Sequence, residues 1–315
     1  MSLNPEQLYQ HCKTILNSRK ILNKIVVLCE GKIEIVQGRL SPQSYAQMEQ
    51  MPDANFYKAC VPNWWRQKLP QFFNCGNRKD VIDTYFTLLD LHNKDTNNSY
   101  LNPSKLFAIV DLDNQIQQIN DDLYSDTEVI FQNLYSKMNV IESNASQHRI
   151  WVTGLIHKEA YFLLPELQVI FDDLPVAPTY DNQPLILEDV YLDMCRDISN
   201  DIDLQNNIQR ACTRINYCTG LDFTGSEELK NSWEIEYTKA ADNVRKEELT
   251  IALLTIKKAK EFWNKILPSN DWTRPIYTYK DQLTLEIGRF YSQQENDPKN
   301  HIPFFFKILY EFVYK

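Results

Sequence analysis

Two short stretches of the sequence decide the fold. Residues 26–34, VVLCEGKIE, end an apolar run on Glu30 and follow it at once with Gly31. Further along, residues 107–114, FAIVDLDN, end a second apolar run on Asp111 and Asp113. Both runs are short, rich in β-branched residues and bounded by turn-forming residues. This pattern is typical of strands buried in a parallel sheet.

Two more strands are predicted at Phe72-Phe73 and at 150–152. Helical patterns lie between the strands at 81–89 and 116–138, and a third follows the last strand at 158–174. Short strands that alternate with helices over residues 20–175 indicate an α/β fold with a parallel sheet flanked by helices. In such sheets ligands bind at the carboxyl ends of the strands. The acids Glu30, Asp111 and Asp113 stand at those ends.

Composition limits the class of protein. The chain has 315 residues, is 43% hydrophobic and carries a formal net charge of −9, which suits a globular protein without a broad basic surface. Its seven cysteines are irregularly spaced and contain no C-x-x-C pair, so we expect reduced thiols rather than disulfides or zinc ligands. No apolar run approaches the length of a membrane span. We therefore expect a cytoplasmic protein without a membrane partner.

Two domains are predicted. The first, residues 1–175, is the α/β domain and contains an irregular insertion at about 41–70, where four prolines interrupt the pattern. After a linker at 176–184, residues 185–315 are helical in pattern, including one long helix at 227–267. We expect this C-terminal domain to be mainly helical and to pack on the sheet.

The spacing of the acids points to a metal. If the chain stays extended after the strand, Asp111 and Asp113 project to the same side. Crowded carboxylates repel one another, and a divalent cation removes that repulsion. Oxygen ligands favour Mg²⁺ or Mn²⁺. Glu30 could join them from the neighbouring strand and Glu34 from one helical turn further on. A lone D-x-D is also common as a turn former or helix cap, so the prediction rests on the combination.

These stretches resemble the TOPRIM domain of topoisomerases, primases and OLD-family nucleases. VVLCEGKIE and FAIVDLDN are similar to its strand–Glu and strand–D-x-D motifs, and FFNCGNRKDVIDTYFTLLDL (72–91) is similar to its second strand and helix. The Glu-Gly pair, with a second acid four residues after Glu30, resembles the OLD version of this motif. In that version the second acid, here Glu34, is more usually Asp. The resemblance implies a small parallel sheet that binds Mg²⁺ and acts on phosphodiester bonds.

A third stretch, IHKEAYFLLPELQVIF (156–171), is similar to the segment after the fourth strand of OLD-like TOPRIM proteins. The resemblance implies that Glu159 is a further metal ligand and that Lys158 contacts phosphate. Two positions depart from the pattern, since Ala160 and Asn114 stand where acids are usual. No G-x-x-x-x-G-K-[ST] motif occurs, so the ATPase half of an OLD protein is absent from this chain. A protein that supplies an ATPase is therefore one candidate partner, beside nucleic acid.

The expected function is therefore that of an Mg²⁺- or Mn²⁺-dependent nuclease, or another phosphodiester-processing TOPRIM protein, in defence or repair, with DNA favoured over RNA. The alternative is a non-catalytic TOPRIM-fold binding partner in such a complex. The catalytic residues implied are Glu30, Asp111, Asp113 and Lys158, and the metal ligands implied are Glu30, Glu34, Asp111, Asp113 and Glu159.

Three further features remain open. Arg78 and Lys79 are either phosphate contacts or solvated charges at a helix start. His157 is either a proton shuttle or a structural side chain. The basic run KKAKEFWNK (257–265) either touches nucleic acid or is the solvated face of a helix.

Overall fold

The structure, a computed structural model, describes residues 2–33, 52–119 and 123–314. Its α-helices are α1 Pro5–Leu16, α2 Pro52–Ala59, α3 Arg78–Lys94, α4 Thr127–Leu134, α5 Glu142–Ala145, α6 Gln168–Asp172, α7 Leu187–Arg196, α8 Ile202–Asn206, α9 Ile208–Arg214, α10 Ser226–Lys239, α11 Asn243–Ile256, α12 Lys260–Lys265, α13 Ile276–Gln293 and α14 His301–Tyr314. Its 3₁₀ helices are Arg19–Ile21, Thr96–Asn98, Pro103–Lys105, Lys158–Leu163, Pro165–Leu167 and Ile198–Asn200. Its strands are β1 Val26–Cys29, β2 Gln71–Asn74, β3 Leu106–Val110, β4 Tyr135–Ser136, β5 Asn139–Val140, β6 Ile150–Val152, β7 Pro178–Tyr180, β8 Gln183–Pro184 and β9 Ile266–Pro268.

The main sheet confirms the α/β prediction. Its four strands run parallel in the order β2-β1-β3-β6. The register places Val26 of β1 beside Gln71 of β2 and Leu106 of β3, and it places Ala108 beside Ile150 of β6. Every residue of β1 and β3 is buried. Both faces of these strands are therefore covered, which explains why they read as continuous apolar runs.

Aromatic side chains join the last helix to the sheet. Val27 pairs with both Phe72 and Phe107, and Ile109 pairs with Trp151, so these side chains share one face of the sheet. Rings of this face meet rings of α14 with centroids 5.1–6.1 Å apart, in the pairs Phe72–Phe306, Phe107–Phe312 and Trp151–Phe305. The aromatic C-terminal helix thus forms part of the core around the sheet.

A close helix crossing also joins the C-terminal helices to the first half of the chain. Helix α13 meets α2 at Gly288, where an added Cβ would lie 2.5 Å from the Cβ of Ala59. Only glycine permits this approach. Helix α3 packs against α1 and against strands β1 and β3.

The C-terminal region is helical as predicted, but the long helix expected at 227–267 is wrong. Helix α10 ends at Lys239, and α11 begins after Asp242, whose side chain accepts a hydrogen bond from the Arg245 N–H at 2.7 Å. The interruption is therefore a helix N-cap, which the sequence pattern concealed. The predicted linker at 176–184 contains β7 and β8, and β7 pairs antiparallel with β9.

Two other predicted helices are also corrected. Among the described residues of 116–138, the helix is confined to 127–134, where Oδ1 of Asp126 caps the helix start by accepting from the N–H groups of Glu128 and Val129. Strands β4 and β5 follow, and Lys137 and Met138 between them have φ of 46° and 62°. Residues 158–174 form 3₁₀ turns and the short α6, since a proline lies at position 165. Of the predicted insertion, residues 41–51 lie outside the described residues.

All seven cysteines are unpaired and buried, as expected from their spacing. In the part of the chain that the structure describes, no helix has both the length and the apolar character needed to cross a bilayer.

A buried hydrogen-bond chain fixes the loop that follows β6. The Tyr161 hydroxyl oxygen accepts from the Gly154 N–H at 2.9 Å and lies 3.0 Å from Nδ1 of His301. Nε2 of His301 lies 2.5 Å from the carbonyl oxygen of Met138, so Nε2 carries the proton and Nδ1 accepts from the hydroxyl. Burial lowers the pKa of His301 to about 4, so the ring is neutral at pH 7. Helix α14 thereby holds the loop that leads into the 158–163 turn.

Replacement of Gly154 by alanine is expected to destabilise the protein. The added Cβ would lie 2.3 Å from the His301 ring and 3.0 Å from Tyr135, and overpacking of a buried site costs about 1–3 kcal/mol. Gly225→Ser is the matched control, since its Cβ would meet only the flexible end of Glu228 and serine is a favoured N-cap. Urea denaturation measures both variants. Equal free energies of unfolding in the two variants would contradict the tight packing at Gly154.

Candidate metal and phosphate site

The first predicted site residue, Glu30, is joined directly to the second strand end. Oε1 of Glu30 accepts a hydrogen bond from the backbone N–H of Asp111 at 2.7 Å. This bond is possible because β1 and β3 are adjacent and in register, so their carboxyl ends meet. The structure therefore brings together the two acids that the sequence places far apart.

Asp111 lies among other acids and accepts a backbone bond from the loop after β6. Its Oδ1 accepts from the N–H of Lys158 at 3.0 Å. Burial first, and then the negative charges of Glu30 and Glu159, raise the pKa of Asp111 well above its usual range. The pKa of Glu30 is also raised, chiefly by burial. Each of these carboxylates therefore resists ionisation unless a positive charge is near.

Asp113 faces a different set of neighbours from Asp111. The backbone leaves the extended conformation at Asp113, where φ is +50°, so the condition on which both side chains were expected to project to the same side is not met. Its Oδ1 lies 3.8 Å from Nε2 of His157 and 3.8 Å from Nζ of Lys258. Burial alone would raise the pKa of Asp113, but His157, Arg78 and Lys258 outweigh burial, and the net pKa lies below its usual range.

Arg78, the first residue of α3, holds the loop that carries the aspartates. Its guanidinium donates to the carbonyl oxygen of Leu112 at 2.7 Å and to that of Gln115 at 2.6 Å. Lys79 instead forms a surface ion pair with Asp83 at 2.6 Å. Arg78 therefore positions the loop. Lys79 is a solvated charge at the start of a helix, which is one of the two alternatives that the sequence left open for it.

A pair of glycines closes the other side of the site. The N–H of Gly31 donates to the carbonyl of Gly76, and the reverse bond forms as well, both at 2.8 Å. Gly76 has φ of +89°, and a Cβ there would lie 2.5 Å from Oδ2 of Asp80. The chain after β1 and the chain after β2 are thus tied together beside Glu30.

These residues line one open cleft of about 860 Å³ at the carboxyl end of the sheet. Among the described residues, its ionisable lining comprises four acidic side chains, four basic side chains and one histidine, namely Glu30, Asp111, Asp113 and Glu159, then Lys32, Arg78, Lys158 and Lys260, and His157. The cleft thus combines acids that could bind a cation with basic side chains that could bind an anion. Glu34, the remaining predicted ligand, lies outside the described residues.

The donor chemistry of the cleft fits a hard cation. Its acids supply only oxygen ligands, the type that Mg²⁺ prefers. Burial, and then the charges of Glu30 and Glu159, raise the pKa of Asp111, so a cation nearby would favour the ionised form of this carboxyl. In Glu30 and in Asp111, one carboxylate oxygen accepts a hydrogen bond from a backbone N–H, and each side chain has a second carboxylate oxygen. Within residues 2–33, 52–119 and 123–314, however, no three His, Cys, Asp or Glu side chains converge closely enough to hold a metal ion. The residue types fit the ion, while the described side chains alone do not form its complete site.

Sequence reasoning missed two contributions to this cleft. His157 was left without a partner, yet it lies beside Asp113. Lys258 and Lys260 come from the C-terminal region, and only the basic run 257–265 signalled them. Lys158, which was predicted, lines the cleft, and burial lowers the pKa of its ammonium group.

Comparison with known proteins identifies no relative, since no family model, no curated protein and no solved structure matches this chain.

Asp111→Asn is expected to stabilise the protein at neutral pH in the absence of divalent ions. Because its pKa is raised, Asp111 keeps its proton in the folded state at pH values above about 4, where the unfolded state loses it. The free energy of unfolding therefore falls as the pH rises from about 4 through the folded-state pKa of Asp111. Asparagine keeps the oxygen that accepts from Lys158 and carries no charge. We expect a gain on the order of 1 kcal/mol at pH 8 and a smaller gain at pH 5.

Urea denaturation in EDTA at both pH values measures this difference. Subtracting the free energy of unfolding of the parent at each pH removes the contribution of His301. The lowered pKa of His301 makes its contribution to stability rise with pH, opposite to that of Asp111. Asp90→Asn, which breaks only a surface pair with Lys94, is the control and should change little at either pH. A loss of stability in Asp111→Asn at pH 8 would show that the charged form is favoured.

Proposed function

We propose that this protein is a divalent-metal-dependent enzyme of the TOPRIM type that processes phosphodiester bonds of nucleic acid, with nuclease activity the leading form. The observation that carries the proposal is the bond from the Asp111 N–H to Glu30. It brings two acids from adjacent parallel strands to one rim, where burial and neighbouring charge disfavour their ionised forms. Such an arrangement at the carboxyl ends of strands is typical of a functional site rather than of a structural ion pair.

The roles of the side chains follow from their positions. Glu30 and Asp111 would supply oxygen ligands to Mg²⁺ or Mn²⁺ together with ligands from outside this pair, and Asp113 and Glu159 line the same cleft. When bound, the metal polarises a phosphoryl oxygen and lowers the pKa of a water. Lys158 and Lys260 neutralise phosphate charge at the same cleft. Arg78 keeps the aspartate loop in place through its two carbonyl bonds.

A second candidate function is nucleic-acid or protein binding without cleavage, as part of a defence or repair complex. The observation in its favour is that one oxygen of Glu30 and one of Asp111 are already occupied by backbone N–H groups. Both acids would then act mainly as hydrogen-bond acceptors that shape the loops. A partner protein with ATPase activity is compatible with either candidate.

Nicking of supercoiled plasmid separates the two candidates. The parent is expected to nick with Mg²⁺ or Mn²⁺ and not with EDTA, and Asp111→Asn should reduce the rate by at least about 100-fold, because it removes a charged metal ligand while it keeps the acceptor for Lys158. Asp90→Asn, on the exposed side of α3, should nick as the parent does.

Metal binding is measured on the same proteins. Mn²⁺ should raise the melting temperature of the parent and of Asp90→Asn but not that of Asp111→Asn. Equal nicking by all three proteins would reveal a contaminating nuclease. Absence of nicking on DNA and on RNA, together with an unchanged melting temperature in Mn²⁺, would favour the binding protein.

A further inference from the structure

The basic run at residues 257–260, KKAK, lies between α11 and the start of α12, far from the sheet along the chain. On a continuous helix it would be an ordinary solvated face. In the structure it follows the end of α11 and reaches the cleft that holds Glu30 and Asp111. The three lysines of the run have three different environments.

Lys257 anchors the run to the C-terminal region. Its side chain is 4% exposed, and its Nζ lies 2.9 Å from Asp197 and 2.6 Å from Asp201. Lys258 lies 2.5 Å from Asp203 and also 3.8 Å from Asp113. Lys257 therefore forms ion pairs within the C-terminal region. Lys258 connects Asp203 of that region to Asp113 in the loop after β3.

Backbone contacts fix the run relative to the site. The carbonyl of Leu254 accepts from the Ile156 N–H at 3.0 Å, and the carbonyl of Ile256 accepts from the side-chain amide of Asn114 at 3.2 Å. Arg210 of α9 adds a bond to the carbonyl of Asn114 at 2.7 Å. The end of α11 is thus attached to the loop after β3 and to the loop after β6.

Lys260 differs from its two neighbours. It is exposed, it lines the cleft, and it forms no ion pair with any acid of residues 2–33, 52–119 or 123–314. Lys158 lines the same cleft, so ammonium groups from the loop after β6 and from the C-terminal region face one groove. A phosphate backbone lying in this groove would be attracted by both charges.

We propose that Lys260 is a phosphate-binding residue that the C-terminal helical region supplies to the cleft, so that this region forms one wall of a nucleic-acid groove whose other wall is the sheet edge with Lys158. The ligand class is a nucleic-acid backbone, and Lys258 is a positioning residue through Asp203 and Asp113. This inference rests on the proposed function for the identity of the ligand, but binding does not require that cleavage occurs.

The test is binding of a fluorescein-labelled DNA duplex of about 20 base pairs, measured by fluorescence anisotropy in EDTA at several NaCl concentrations. Lys260→Glu should weaken binding by about tenfold at low salt and should reduce the slope of log Kd against log salt by about one or more. The control is Lys239→Glu, which makes the same change of charge at an exposed position at the end of α10. Its affinity should stay within about twofold of the parent.

Each outcome is decisive for Lys260. Equal weakening in both variants would show that only net charge matters, and absence of binding by the parent in EDTA would also overturn the proposal. Melting curves establish that both variants are folded, as expected for exposed lysines near helix ends. Binding that depends on Lys260 in a parent that does not nick plasmid would retain this inference while the nuclease function fails. Nicking that Lys260→Glu leaves unchanged, together with unchanged affinity, would retain the nuclease and remove Lys260 from it.

Discussion

The site depends on one hydrogen bond, from the backbone N–H of Asp111 to the carboxylate of Glu30. It forms because β1 and β3 are adjacent, parallel and in register, so the residues after each strand meet at the same edge. It also concentrates negative charge where burial already disfavours it. The loops around this pair, held by Arg78 and by the paired glycines, therefore maintain an electrostatically unfavourable arrangement that a cation would relieve.

The C-terminal region does more than cover the sheet. Helix α14 contributes aromatic rings to the core and, through His301 and Tyr161, holds the loop that leads to Lys158. The end of α11 bonds to both site loops, at Ile156 and at Asn114. These hydrogen bonds attach the C-terminal region directly to the two loops that carry Asp113 and Lys158. The predicted division into domains at 1–175 and 185–315 stays a prediction.

Much of the sheet could be predicted because its strands are buried on both faces. The residues of β3 and β6 coincide with the predicted strands, and β1 and β2 agree to within about two residues at each end. Helices were predicted less well where a cap interrupts a continuous pattern, as at Asp126 and Asp242. The spacing of hydrophobic residues indicates which face of a helix is buried, but it does not indicate where the helix begins. An isolated aspartate can be either a surface charge or a helix cap.

The sequence by itself determined the strands, the acids that follow them and the lack of cysteine pairing, since these depend on local composition and on period. Only the tertiary structure decided which acids meet, because strand order and register are long-range properties of the chain. It separated the surroundings of Asp113 from those of Asp111 through a left-handed residue, and it brought Lys260 to the sheet edge. These outcomes depend on contacts between residues far apart in sequence, which no local pattern records.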